Sequence, residues 1–195
     1  MSTRNITSLA CGLMSLAMMT GCAIKTHLTP PARTVTEQLL LDQSLAHSLA
    51  NATLPLPPGR TVALDVVGLT PDKDFVHAGV VRWLAQQGLS VPKSLGETYV
   101  LRVMIHAFGT NLDESFAGMP PIQGGLFPIA TPELALFKTE NQNALTRLSM
   151  DLYERSSGRL LMTTPMYEGY AYMKDSTLLF GIPHYTTNLN PGVIK

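Results

Sequence analysis

Charge is scarce in this 195-residue chain, with 14 Lys and Arg against 14 Asp and Glu, 14% of all residues. So small a charged fraction beside 45% hydrophobic residues excludes a chain held open by its own charge. It also excludes a coiled coil, whose flanking positions need many ionic residues. The absence of any basic excess argues against a nucleic-acid module. Cysteine is nearly missing: Cys11 and Cys22 can build neither a disulfide framework nor a four-ligand zinc site. No apolar run reaches the about 18 residues of a membrane-spanning helix. Catalytic signatures are missing as well: no Gly-x-Ser-x-Gly elbow, no glycine-rich phosphate loop and no His-Glu-x-x-His pair. The expectation is a non-enzymatic protein without a cofactor or bound metal.

What is present begins with an address. Arg4 precedes an apolar run from Leu9 to Met19, the length of a secretion-signal core. The run ends in Met19-Thr20-Gly21-Cys22, which resembles the bacterial lipobox through Gly21 and Cys22. That resemblance implies cleavage before Cys22, with a diacylglycerol thioether and an N-acyl chain such as palmitate on the cysteine. Several acyl chains suffice for stable anchoring without a span. Ala23, where Asp would imply inner-membrane retention, implies the periplasmic face of the outer membrane. The expected organisation is a signal peptide over residues 1–21, a lipidated N-terminus and tether over 22–33, and a periplasmic domain over 34–195. Thr29-Pro30-Pro31 makes the tether extended.

The domain reads as α+β, a mixed sheet covered by two or three helices. Thr34 and Glu37 have capping-box spacing and open a helix that runs to about Asn51, with Leu41, Leu45 and Leu49 on one stripe widened by Ala46. Thr61 to Leu69 is apolar on both sides and reads as a central strand. Thr70-Pro71-Asp72 has the form of a helix start with Thr70 as N-cap; Val76, Val80, Trp83 and Leu84 form the buried face and Gly88 the stop. Further strands are expected over Thr98–Gly109, with Ala107 on the core side, and over Ala144–Tyr153. A turn over Glu154–Arg159, a return over Leu160–Thr164, a bend at Pro165, a strand over Met166–Met173 and a last apolar piece from Leu178 to Ile182 complete the order. The stretch between Asn111 and about Glu140, rich in Gly and Pro, reads as a long loop with a short helix near Pro132. It can contact a partner, a lipid or a neighbouring subunit, or fold back over one sheet face.

Candidate polar residues are few. Asp65 sits within an apolar strand, where a buried carboxylate needs a partner such as Arg102. His106 shares a strand face with Arg102. His27, His47, His77 and His184 are scattered without ligand spacing. Tyr167, Tyr170, Tyr172 and Tyr185 cluster in sequence, and Tyr170 and Tyr172 share a face.

Taken with the lipobox, three segments resemble a domain-of-unknown-function family of bacterial lipoproteins. These are Gly59-Arg60-Thr61-Val62-Ala63-Leu64-Asp65, Tyr99-Val100-Leu101-Arg102-Val103 and the hairpin from Asp151-Leu152-Tyr153 to Ser157-Gly158-Arg159-Leu160-Leu161. Thr36–Leu40 and Pro132-Glu133-Leu134 are similar to that family too. More distantly, the layout is similar to the curli-secretion and Pel-polysaccharide export lipoproteins. That likeness implies a periplasmic α/β domain that assembles into rings, but carries no membrane-inserting hairpin onto residues 111–137. The expected role is an accessory or assembly subunit of a cell-envelope complex. It would be joined to the membrane through its lipid and to an envelope protein or further copies of itself through the domain. The alternative is a binding module for a lipid or small apolar ligand, with residues 111–137 as lid.

Overall fold

The computed structural model describes residues 33–92, 98–119, 133–179 and 181–190. The signal, Cys22 and the tether before Arg33 lie outside the described residues, as do Pro132 and the rest of 120–132. The part beginning at Arg33 is one compact unit. Its order is α1 (Val35–Ala50), β1 (Val62–Gly68), α2 (Lys73–Gln86), β2 (Tyr99–Met119), β3 (Leu134–Glu154), β4 (Leu160–Thr163), β5 (Tyr167–Leu178) and β6 (Ile182–Thr187). Two helices pack on a six-stranded mixed sheet, an α+β domain as the sequence implies. The strands run β1-β2-β3-β5-β6, with β4 beside the inner end of β3. β1 is parallel to β2 and the other pairings are antiparallel.

The helices form for the expected reasons. Thr34 Oγ1 accepts from the Glu37 amide at 3.2 Å, and a Glu37 carboxylate oxygen accepts from the Thr34 amide at 2.7 Å. This reciprocal box satisfies two amides that a helix start leaves unpaired. All four residues assigned to the buried face of α2 are buried, and Gly88 ends the helix at φ +75. The start of α2 differs from expectation. Asp72, not Thr70, occupies the N-cap, and its side chain makes no capping bond. The Asp72 carboxylate instead meets Arg33, and Thr70 Oγ1 accepts from the Asp72 amide at 3.2 Å.

α1 approaches the sheet closely because small residues face one another. Ser44 and Ser48 are buried, and Ser44 Oγ shares a hydrogen bond of 2.7 Å with Thr146 Oγ1. A Cβ on Gly169 would lie 1.9 Å from the Ser44 carbonyl oxygen. The stripe on α1 is therefore widened by Leu40, Ser44 and Ser48; Ala46 is exposed. Leu84, Leu101, Leu148 and Val62, all fully buried, join α2 and the sheet in one core. Each such side chain contributes about 1.5–3 kcal/mol relative to exposure.

Four expectations about the strands are corrected. β1 stands at an edge beside β2 in the strand order; Val62, Leu64 and Val66 meet the core, and Ala63, Asp65 and Val67 alternate onto the other face. Within the Asn111–Glu140 stretch, residues 111–119 and 134–140 are strand and not loop, since β2 runs to Met119 and β3 starts at Leu134. The Leu134–Phe137 segment is strand, not helix. A β-bulge at His106, where Ile105 pairs with Leu148 and Ala107 with Arg147, moves Ala107 to the helix-free side. Phe108 then turns inward and stacks on Phe75 of α2 at 6.2 Å. Beyond β4 the ladder breaks at Pro165, which has no N–H to donate. There Thr164 takes over, its Oγ1 accepting from the Met150 amide at 2.9 Å.

Candidate interaction surface

The helices cover one face of the inner sheet and leave the other open. Alternation places Asp65, Arg102, Asp151 and Thr163 in one row across β1, β2, β3 and β4 on that open face. Arg102 Nε donates to Asp65 at 2.8 Å, and Thr163 Oγ1 donates to Asp151 at 2.8 Å. The Arg102 guanidinium also lies 5.5 Å from the centre of the Tyr153 ring. The hydrogen bond and charge of Asp65 push the Arg102 pKa up. Asp65 is thus paired with the expected arginine, but it is not buried: its side chain is 41% exposed. Solvent screens an exposed pair of this kind, so it adds little to stability.

His106 faces the same side and shares a 2.9 Å hydrogen bond with Ser149. Ser149 was not legible as its partner, because only the strand register brings them together. A serine bonded to a histidine is the beginning of a nucleophile–base pair. Here the pair lies on an exposed sheet face, with no carboxylate among the described residues hydrogen-bonded to the other ring nitrogen. Among the described residues no group of three or more His, Cys, Asp or Glu is arranged to hold a metal ion. His47 is occupied by the Tyr170 carbonyl and Gln43. The tyrosines divide: Tyr170 and Tyr172 stack at 6.0 Å on the open side, whereas Tyr167 and Tyr185 pair with Leu148 and Asp175 on the helix side.

The second feature is the outer half of the sheet. Past Thr110, whose Oγ1 donates to Glu37 at 3.2 Å, α1 no longer covers β2. β2, β3, β5 and β6 continue together as a four-stranded extension. Its register produces rows of distinct chemistry. On one face Ala117, Phe137, Leu178 and Ile182 stand side by side across all four strands, followed inward by Ser115, Thr139, Ser176 and His184. Thr139 Oγ1 donates to Ser176 Oγ at 3.1 Å in that second row. On the other face Phe116, Lys138, Thr177 and Pro183 form the outer row. The next row inward is Glu114, Glu140, Asp175 and Tyr185. Half of the exposed large hydrophobic side chains among the described residues lie on the strands of this extension, including Leu112, Leu136 and Ile182 at 55%, 51% and 58%.

Between α1 and α2 runs an open groove of about 280 Å³, lined by Leu45, Leu49, Gly79 and Trp83, with Asp42 and Arg82 at its rim. Among the described residues no helix is long and apolar enough to cross a membrane.

No family model matches the chain, and no curated protein matches it. Among solved structures, a neuraminyllactose-binding hemagglutinin homolog from Helicobacter pylori is similar at 12% identity. The match covers 69% of this chain and 71% of that one, with a TM-score of 0.24. At that score the likeness bears on neither fold nor function.

Proposed function

We propose that this chain is a non-enzymatic accessory or assembly subunit of a cell-envelope complex, anchored through Cys22 to the periplasmic face of the outer membrane. The observation that carries this reading is the extension. Leu112 and Phe116 on one face and Phe137, Leu178 and Ile182 on the other stand exposed, and exposed apolar surface of this kind marks interaction sites. The lipobox-like Met19–Cys22 supports the anchor, and the resemblance to envelope lipoproteins supports the compartment. The inner open face supports the non-enzymatic part, because Asp65 and Arg102 there pair with one another and Asp151 with Thr163. A direct test replaces Cys22 with Ser and follows acyl labelling and membrane fractionation, then sizes the detergent-extracted protein. Acyl labelling that depends on Cys22, together with a size well above the monomer, is expected. Membrane association that persists without label overturns the anchor, and a monomer that no cross-linker joins to an envelope protein overturns the subunit role.

A second reading, a carrier of a lipid or small apolar ligand, is favoured by the groove between α1 and α2. Of the 111–137 lid, residues 111–119 and 134–137 are paired strand, and 120–132 lie outside the described residues. Native mass spectrometry of the protein extracted from cells tests it. A co-purified apolar ligand lost on Leu49→Glu supports this reading, and an empty protein removes it.

A further inference from the structure

The helix-side face of the extension carries information about what covers it. Glu114, Glu140 and Asp175 stand directly opposite one another across β2, β3 and β5. Like charges so placed destabilise a sheet. Lys138 answers part of this charge, lying 3.1 Å from Glu140, but it is shared with Glu133 at 3.6 Å. Glu114 and Asp175 have no hydrogen-bond or ion-pair partner among the described residues. On the same face Leu112, Phe116 and Tyr185 are 55%, 43% and 47% exposed. The fold gains nothing from apolar side chains left in water around uncompensated carboxylates.

The sign of the charge selects among occupants. An anionic lipid surface would be repelled by this row. A second copy related by a two-fold axis would bring the same patch against itself, acid against acid. A polypeptide that presents Lys or Arg among apolar side chains satisfies both features at once. We infer that this face of the extension is the docking surface for a cationic, apolar-studded segment of a partner protein. The inference deepens the accessory-subunit reading and rests on it.

The test uses the full chain and the variant Glu114→Gln/Glu140→Gln/Asp175→Asn, which keeps side-chain shape and removes the charge. The probe is a fluorescent Lys/Leu amphipathic peptide, with a Glu/Leu peptide of equal length as control. The wild type binds the cationic peptide about tenfold or more tightly than the anionic one, and added salt weakens that binding. The variant loses the preference while melting at the same or a higher temperature, because repulsion has been relieved. A Leu112→Ser/Phe116→Ser variant weakens binding but keeps its salt dependence. Equal binding by wild type and charge variant overturns the inference, as does tighter binding of the full chain carrying Cys22→Ser to anionic vesicles than to the cationic peptide. The size of the detergent-extracted complex separates the two proposals. A complex unchanged by the charge variant removes the docking surface and leaves the subunit role. A wild type found only as a monomer removes the subunit role, whatever the peptide does.

Discussion

Between Leu101 and Ile105, β2 alternates buried and exposed residues; from Asn111 to Met119 every residue is exposed. The partner strand follows suit, strictly alternating from Ala144 to Leu152 and irregular from Leu134 to Phe137. One pair of strands thus serves two regimes. In the inner half a helix layer removes one face from water, and burial decides which residue type stands where. In the outer half backbone ladders hold the strands together and most side chains remain wet, with Thr139 and Ser176 buried on one face. Apolar side chains there answer to something other than the core. The contrast is what makes the extension, rather than the sheet's tidy ionic face, the candidate for interaction.

Substitutions should respect that boundary. The largest effect is expected at Gly169 in the inner half. Gly169→Ala drives a methyl into the α1 backbone, 1.9 Å from the Ser44 oxygen and 2.4 Å from the Ser48 nitrogen. Neither atom can move without displacing the helix, so a loss of about 3 kcal/mol or more is expected in denaturant unfolding. Leu148→Ala, at a fully buried position, should follow at about 2–5 kcal/mol. At the helix start Thr34→Ala should cost about 1 kcal/mol. Its partner Glu37 adds a pH dependence. The Thr34 backbone amide holds the Glu37 carboxyl below its ordinary 4.5. A folded pKa below the unfolded one gives stability that is complete above pH 4.5 and fades as pH falls through the folded value. Thermal melts of wild type and Glu37→Gln should therefore converge on acidification. The smallest effect belongs to the outer half: Leu112→Ser or Ile182→Ser should shift stability by no more than about 0.5 kcal/mol. A cost above 2 kcal/mol at either position would erase the distinction between the halves.

The sequence was legible where local chemistry and burial point the same way. The capping box at Thr34, the stop at Gly88 and the face of α2 could be read because each follows from the few residues around it. The inner strands could be read because one face meets a core, and the α+β class followed from their order. The outer strands could not be read. Alternation is a signal of a boundary between core and water, and Asn111–Met119 has no such boundary. Leu112, Glu114 and Phe116 share one face there, a mixture that reads as loop. Asp65 was read as an interior carboxylate because the sequence does not tell which face of a strand the helices leave uncovered. The pairing of His106 with Ser149 needed the register of two strands 43 residues apart. The acidic row likewise exists only after three strands align.

The bulge at His106 takes up one residue of β2 between the two halves. Upstream of it odd-numbered residues of β2 face the helices; downstream even-numbered residues do. Removing that one residue would leave Ala107 opposite Arg147 and Phe108 opposite Thr146, so Leu112, Glu114 and Phe116 would keep the face they now hold. The bulge is thus slack in the strand: its length can change by one residue at this point without altering what either half presents.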